Sequence, residues 1–242
     1  MSRSPRPVQG RPSVILFDFG GTLADIYPSH EWLFIRPCRE LGVEVDAARV
    51  RAGQDMGWDP YLTPEGPAHP EMSLSQAIFR RFKTGQLVTR LQAMGVTGPV
   101  EAIAKKVLDL DTRPEMYRVF DDVLPTLQVL AERGYRMAII SNHEWELPDL
   151  VAGLGLADYF PVVITSARVG YRKPHPRIYQ YALERLGATA EETLVVGDSL
   201  SSDVAGALRL GMTAVLLDRH GADNDPPGVP VIRRLTSLLE LL

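Results

Sequence analysis

The feature that most restricts the fold is a rhythm. From Asp121 onward, short apolar runs alternate with segments of helical periodicity. The runs are Arg136 to Ile140 (RMAII), Val162 to Thr165, Leu194 to Val196 and Ala214 to Leu217. Helical patterns fall near Glu146 to Leu154, Pro176 to Leu186 and Asp203 to Leu210, and another carries Leu124, Leu127 and Leu130. In that last segment Asp121 and Asp122 read as N-terminal caps, with Gly134 placed where a glycine stops a helix. Strands joined by helices of this length pair in parallel through right-handed crossovers, with helices over both faces of the sheet. The predicted class is therefore α/β, with a doubly wound Rossmann-like sheet. Ligands of such sheets bind beyond the carboxyl ends of the strands, so the residues that follow each strand are the ones to read.

The first strand is read from Val14 to Leu23, VILFDFGGTL. Four apolar residues run into Asp18, as in a fully buried central strand that delivers one carboxylate to its end. The glycines and Thr22 after it form a tight turn whose N–H groups could line an anion site. An acid beside such a turn suits phosphoryl chemistry, with the carboxylate as nucleophile and a divalent metal between the two anions. At the other strand ends stand Ser141 with Asn142, and Gly197 with Asp198, while Lys173 lies in the loop VGYRKPHP. Pro174 and Pro176 stiffen the lysine's loop.

Between Ile26 and about Arg113 the sequence offers no convincing strand. Its helical faces are Phe34, Cys38 and Leu41; Leu74, Ile78 and Phe82; and Val100, Ala104, Val107 and Leu108. Breakers cluster from Asp59 to Pro70, a long loop. The division expected is a core of residues 13–25 and 114–242 with a helical cap of residues 26–113, preceded by a mobile tail of residues 1–12. A length of 242 residues accommodates a core plus such a smaller domain.

A net charge of −4 supplies no basic field for nucleic acid or anionic lipid. No apolar run approaches the ~20 residues that span a bilayer, and the leader lacks the apolar centre of a signal peptide. The single cysteine, Cys38, excludes an internal disulfide framework. These features lead to the expectation of a soluble, cytoplasmic protein that acts on a small molecule.

Taken together, DFGGTL, Ser141 with Asn142, Lys173 in RKPHPRIY, and GDSLSSD resemble, in order, the four motifs of the haloacid dehalogenase superfamily. The resemblance covers the chain except the insert, which stands where that family carries a helical cap. It implies a Mg2+-dependent hydrolase of small phosphorylated metabolites that passes through an aspartyl-phosphate. Asp18 becomes the nucleophile, with Ser141 and Lys173 on the phosphate oxygens. Gly21, Thr22, Asn142 and His143 fall to substrate binding. Asp18, the backbone carbonyl of Gly20, and Asp198 fall to the metal, with Asp203 a further metal ligand or else a helix cap.

Gly20 departs from the phosphatase pattern. The family's second aspartate, which protonates the leaving group and then activates water, stands at that position; glycine keeps the carbonyl but has no acid. Such acid–base help is typically worth ~100 to 10,000-fold. His143, Asp25 and His30 are the candidate substitutes. Leaving groups that depart as stable anions, such as aryl or acyl phosphates, suffer least from the loss. Dehalogenases and phosphonate hydrolases of the superfamily also lack that aspartate. The retained GDSLSSD argues against the first, and the second would draw a Schiff-base lysine from Lys83, Lys105 or Lys106. A weakened protein that binds phosphate compounds and signals by occupancy is the remaining alternative. Trp32, Trp58 and Trp145 read as core or interface residues rather than ligand platforms.

Overall fold

The computed structural model describes residues 12–54, 62–63, 66–221 and 226–242. Its centre is a six-stranded, all-parallel sheet made of β1 (Val14–Phe17), β2 (Arg136–Ser141), β3 (Val162–Thr165), β4 (Thr193–Gly197), β5 (Thr213–Leu217) and β6 (Val231–Ile232), in the order β6-β5-β4-β1-β2-β3. The strand that carries Asp18 at its end thus lies inside the sheet, with Val14 paired to Arg136 on one side and to Thr193 on the other. All four residues of β1 are fully buried. Ile15 and Phe17 pack into one apolar cluster while Val14 and Leu16 pack into another, and β2, β4 and β5 divide in the same way. This two-residue period is what places a packed layer on each face of a parallel sheet.

The chain leaves the core through Ala24–Ile26 and returns through Tyr117–Val119, which pair antiparallel. Between them lie helices His30–Glu40, Ala47–Gln54, Gln76–Ala93 and Val100–Leu110. Ser29 starts the first by accepting the N–H of Trp32, and Ser75 starts the third by accepting that of Ile78. Phe34, Cys38, Leu91, Ile103 and Leu108 join the cluster on the Ile15 face of the sheet, which binds insert and core through one continuous apolar layer.

Three local expectations are corrected. The insert contains a small antiparallel pair, Leu62–Thr63 with Gly66–Pro67, within the segment read as an unbroken loop; residues 59–61 and 64–65 of that loop lie outside the described residues, as do residues 1–11 of the leader and Trp58. In Gln76–Ala93 the buried face is Phe79, Leu87 and Leu91, because Leu74 precedes the helix and is 76% exposed. Asp122 is not a side-chain cap for Val123–Glu132. Its buried carboxylate instead accepts both Nη atoms of Arg219, each at 3.0 Å, and the N–H of Leu235 at 2.6 Å. The strand Val231–Ile232 at the sheet edge was too short to read as a strand.

Trp32 packs against the core cluster, and half-buried Trp145 sits beside Phe79 at 6.4 Å between ring centroids. Among the described residues, no helix is long and apolar enough to cross a membrane.

Candidate active site at the carboxyl edge of the sheet

The strand ends meet as the topology requires. Asp18 follows β1 and is tied to β4 by its N–H on the carbonyl of Val196, 2.9 Å. Ser141 closes β2 and Asp198 follows β4. One depression of about 380 Å3 is lined by Asp18, Ser141, Lys173, Asp198 and Asp203 together with both glycines of the first turn.

Lys173 is the hub of this floor. Its Nζ donates to Asp18 Oδ1 at 2.6 Å and to Asp203 Oδ1 at 2.5 Å, and its side chain is 2% exposed. Asn142 fixes the backbone beneath it: Oδ1 accepts the N–H of Lys173 at 2.7 Å and Nδ2 donates to its carbonyl at 2.9 Å. The two bonds clamp a loop residue to the end of β2, so the lysine leaves a fixed point. Asp203 Oδ2 accepts the N–H of Ser199 at 3.0 Å, and Ser199, not Asp203, caps the following helical turn by accepting the N–H of Ser202. The capping role weighed for Asp203 is thereby replaced by a buried ion pair.

Charge accumulates here. Burial pushes the Asp203 carboxyl up, opposed by the Lys173 ammonium and reinforced by Asp18. Two buried carboxylates hold the Lys173 ammonium well above the usual lysine range, despite the desolvation that works against it. Asp198 is pushed up to about 7, by desolvation and by the charges of Asp18 and Asp203. Because Asp198 is solvent-exposed, repulsion from its two neighbours is the cause that carries weight.

The first turn differs from expectation. The N–H of Gly21 donates to the carbonyl of Ala24 at 3.0 Å and that of Thr22 to the carbonyl of Phe19 at 3.3 Å, so these groups close the turn on itself instead of facing an anion. Thr22 is fully buried, does not line the depression, and its Oγ1 has no hydrogen-bond partner among the described residues. Gly21 has φ +72°, and a Cβ there would overlap the Asp198 carboxylate; only glycine lets the turn and that acid approach. At Gly20 the position of a Cβ is open, with nothing within 4 Å.

A larger cavity of about 700 Å3 continues from the depression beneath the insert, walled by Leu33, Phe34, Leu87, Val107 and Lys83. Gly20, Asp25, His30, Asn142 and His143 line both spaces. Asp25 Oδ1 lies 2.9 Å from His30 Nε2. The hydrogen bond from His30, working against burial, holds Asp25 low, and the same bond raises His30. Of the lysines considered for a Schiff base, Lys83 pairs with buried Glu144 at 2.9 Å, whereas Lys105 and Lys106 pair with Glu101 and Glu40 at the surface.

The sequence reading passed over Ser199, Ser202 and His220, which also line the depression. His220 follows β5, so the strand-end rule already pointed to it.

The donor set fits a small hard cation. Asp18, Asp198 and Asp203 each offer one carboxylate oxygen, all within 4.8 Å of one another. Three carboxylates against one ammonium leave an excess of negative charge, the condition that raises Asp198 and that a divalent ion balances.

A sequence model of haloacid dehalogenase-like hydrolases matches residues 12–211. A glyceraldehyde 3-phosphate phosphatase from Methanopyrus kandleri is 29% identical over 85% of this chain and 83% of its own. A phosphoserine phosphatase from Thermus thermophilus is 29% identical over 91% of this chain and 94% of its own. Among solved structures, a HAD phosphatase from Thermococcus onnurineus superposes with a TM-score of 0.60 at 28% identity, covering 95% of this chain and 97% of that one.

Proposed function

Because the chain belongs to the haloacid dehalogenase-like hydrolase family, we propose that it hydrolyses small phosphate monoesters through a phosphoryl group carried on Asp18. The observation that carries this reading is the buried Lys173 held between Asp18 and Asp203 on the floor of a strand-end depression. A pure binding site for anions gains nothing from placing three carboxylates there.

In this reading Asp18 attacks phosphorus, the bond from phosphorus to the leaving oxygen breaks, and water then attacks the phosphorus of the aspartyl-phosphate. Lys173 and the Ser141 hydroxyl hold the phosphoryl oxygens. Asn142 keeps Lys173 in place. Asp18, Asp198 and the carbonyl of Gly20 would hold Mg2+. When bound, that ion would offset the repulsion between the Asp18 carboxylate and the phosphate. Asp203 acts through Lys173, which its Oδ1 holds while its Oδ2 accepts the N–H of Ser199. Residues 26–113 serve as a cap over the core of residues 13–25 and 114–242, and the 700 Å3 cavity beneath it receives the part of the substrate beyond the phosphate. The relatives named for glyceraldehyde 3-phosphate and phosphoserine point to metabolites of that size.

The test is a time course of p-nitrophenyl phosphate hydrolysis with and without Mg2+, using Asp18→Asn as the blank. Steady turnover in the native protein, dependent on Mg2+ and absent from the blank, is expected. Equal rates in both proteins would overturn the reading. A single burst without turnover would favour the regulatory alternative.

Lys83 supports a second reading, because it alone of the three lysines considered lines the cavity that Gly20 opens into. A phosphonate hydrolase would use its amine as a Schiff base. Its amine is already engaged by Glu144 at 2.9 Å, which ranks this reading second. Borohydride trapping with a carbonyl-bearing phosphonate tests it.

A further inference from the structure

We infer that His30, oriented by Asp25, performs the proton transfers for which Gly20 has no side chain. The inference rests on the phosphate-monoester reading above. With the phosphoryl group at Asp18 and Lys173 and the remainder of the substrate in the larger cavity, the leaving oxygen must stand where the two spaces meet. Three side chains at that junction titrate: Asp25, His30 and His143.

His143 is already engaged at both ring nitrogens. Nδ1 accepts the N–H of Glu144 at 2.8 Å, which puts the proton of the neutral ring on Nε2. Nε2 lies 3.0 Å from the Tyr117 hydroxyl, which in turn donates to Asp111 Oδ1 at 2.9 Å. The ring also stands edge-on to Phe19 with centroids 5.4 Å apart. His143 is thus held as part of the wall.

His30 is arranged differently. It is the first residue of helix His30–Glu40, its side chain is 58% exposed, and among the described residues only Nε2 is committed, to Asp25 Oδ1. That carboxylate oxygen is fixed by the N–H of Ile26 at 2.8 Å. The arrangement orients the imidazole, stabilises its protonated form and keeps Nδ1 outside the bond to Asp25 in a side chain that lines both spaces, the division of labour of an acid–base pair. Glu31 and Asp111 add negative charge around His30, His220 faces Asp25, and the positive end of the helix acts in the opposite sense. In the first half-reaction Nδ1–H gives its proton to the leaving oxygen as the phosphorus bond breaks. In the second, neutral Nδ1 takes a proton from the water that attacks phosphorus, which releases inorganic phosphate and restores Asp18. Asp25 is a positioning residue.

The experiment compares native protein, His30→Gln, Asp25→Asn and the double variant Gly20→Asp with His30→Gln on p-nitrophenyl phosphate and on an alkyl phosphate, across pH. His30 is exposed, so its replacement leaves the core intact, and thermal unfolding of each variant checks this. His30→Gln should lower kcat/KM, which reports the steps up to phosphorylation of Asp18, by about 100- to 10,000-fold for the alkyl ester and far less for the aryl ester, since the aryl anion leaves without a proton. Asp25→Asn should move the descending limb of the pH profile to lower pH, because His30 loses its charge partner. Adding Gly20→Asp should restore alkyl turnover. An unchanged ratio of alkyl to aryl kcat/KM in His30→Gln, with both turned over by the native protein, overturns the inference alone. Failure of the native protein on both esters overturns the monoester reading and this inference with it.

Discussion

Replacing Lys173 by Met removes one charge and keeps most of the apolar stem. Among the described residues the ammonium is the single cation donating to Asp18 and Asp203, and both members of the Lys173–Asp203 pair have side chains at most 2% exposed. Removing one member of a buried pair leaves an uncompensated charge and typically costs about 3–5 kcal/mol. For a chain of this size each kcal/mol lowers Tm by roughly 2–4 °C, so a loss of about 6–20 °C is expected at pH 7. The sign of the pH dependence follows from Asp203. Its carboxyl is already above its ordinary value and rises further without the lysine. A carboxyl that is raised on folding opposes the native state increasingly as pH rises from the unfolded value of about 4 towards the folded one. Acidification protonates it and relieves the variant, so the gap between native and Lys173→Met should narrow from pH 7 to pH 5. Thermal unfolding followed by circular dichroism in EDTA measures both quantities. A gap under about 1 kcal/mol at pH 7, the level of a surface pair, or a gap that widens on acidification, would refute the account of this floor.

Asn142→Ala removes both bonds to the Lys173 backbone, and at about 1 kcal/mol per bond it should cost about 2 kcal/mol of stability and lower kcat more than it raises KM; an unchanged kcat would show that the clamp is dispensable. Gly21→Ala forces a side chain onto the Asp198 carboxylate at a positive φ, so Mg2+ affinity measured by calorimetry should fall while a buried-core probe such as near-ultraviolet dichroism holds; native-like affinity would contradict the geometry. Thr22→Val replaces an unpartnered buried hydroxyl with a methyl and should leave stability unchanged or raise it by about 1 kcal/mol, with kcat intact. A large loss of kcat there would return Thr22 to the substrate-binding set.

The parallel core was legible because burial on both faces writes itself as uninterrupted apolar runs, and β1 to β5 fall where Val14 to Phe17 and the later runs placed them. The strand-end rule collected Asp18, Ser141 and Asp198, since parallel topology alone brings those ends together, while Lys173 stood out only by its proline-stiffened loop. What it could not supply were partners distant in sequence. Asp122 resembles a cap until Arg219 and the N–H of Leu235 are beside it. Asp203 carries no sign that Lys173, 30 residues earlier, will claim it. The two nitrogens of His143 are fixed by its neighbour's N–H and by Tyr117, 26 residues away, so local sequence left its direction open. The Gly21 and Thr22 turn misled because a glycine-rich turn after a strand has two outlets for its N–H groups, a ligand or its own carbonyls, and here it uses its own.

The most direct measurement is the fate of Asp18 during turnover. The protein is incubated with an aryl phosphate and Mg2+ in water enriched in oxygen-18, quenched in acid, and the peptide containing Asp18 and the released phosphate are weighed by mass spectrometry. The account expects a fraction of the Asp18 peptide heavier by one phosphoryl group, heavy oxygen in the released phosphate and none in the Asp18 carboxylate, because water attacks phosphorus. An unmodified Asp18 peptide under steady turnover, or heavy oxygen in the Asp18 carboxylate, would contradict the phosphoryl-carrying role of this residue.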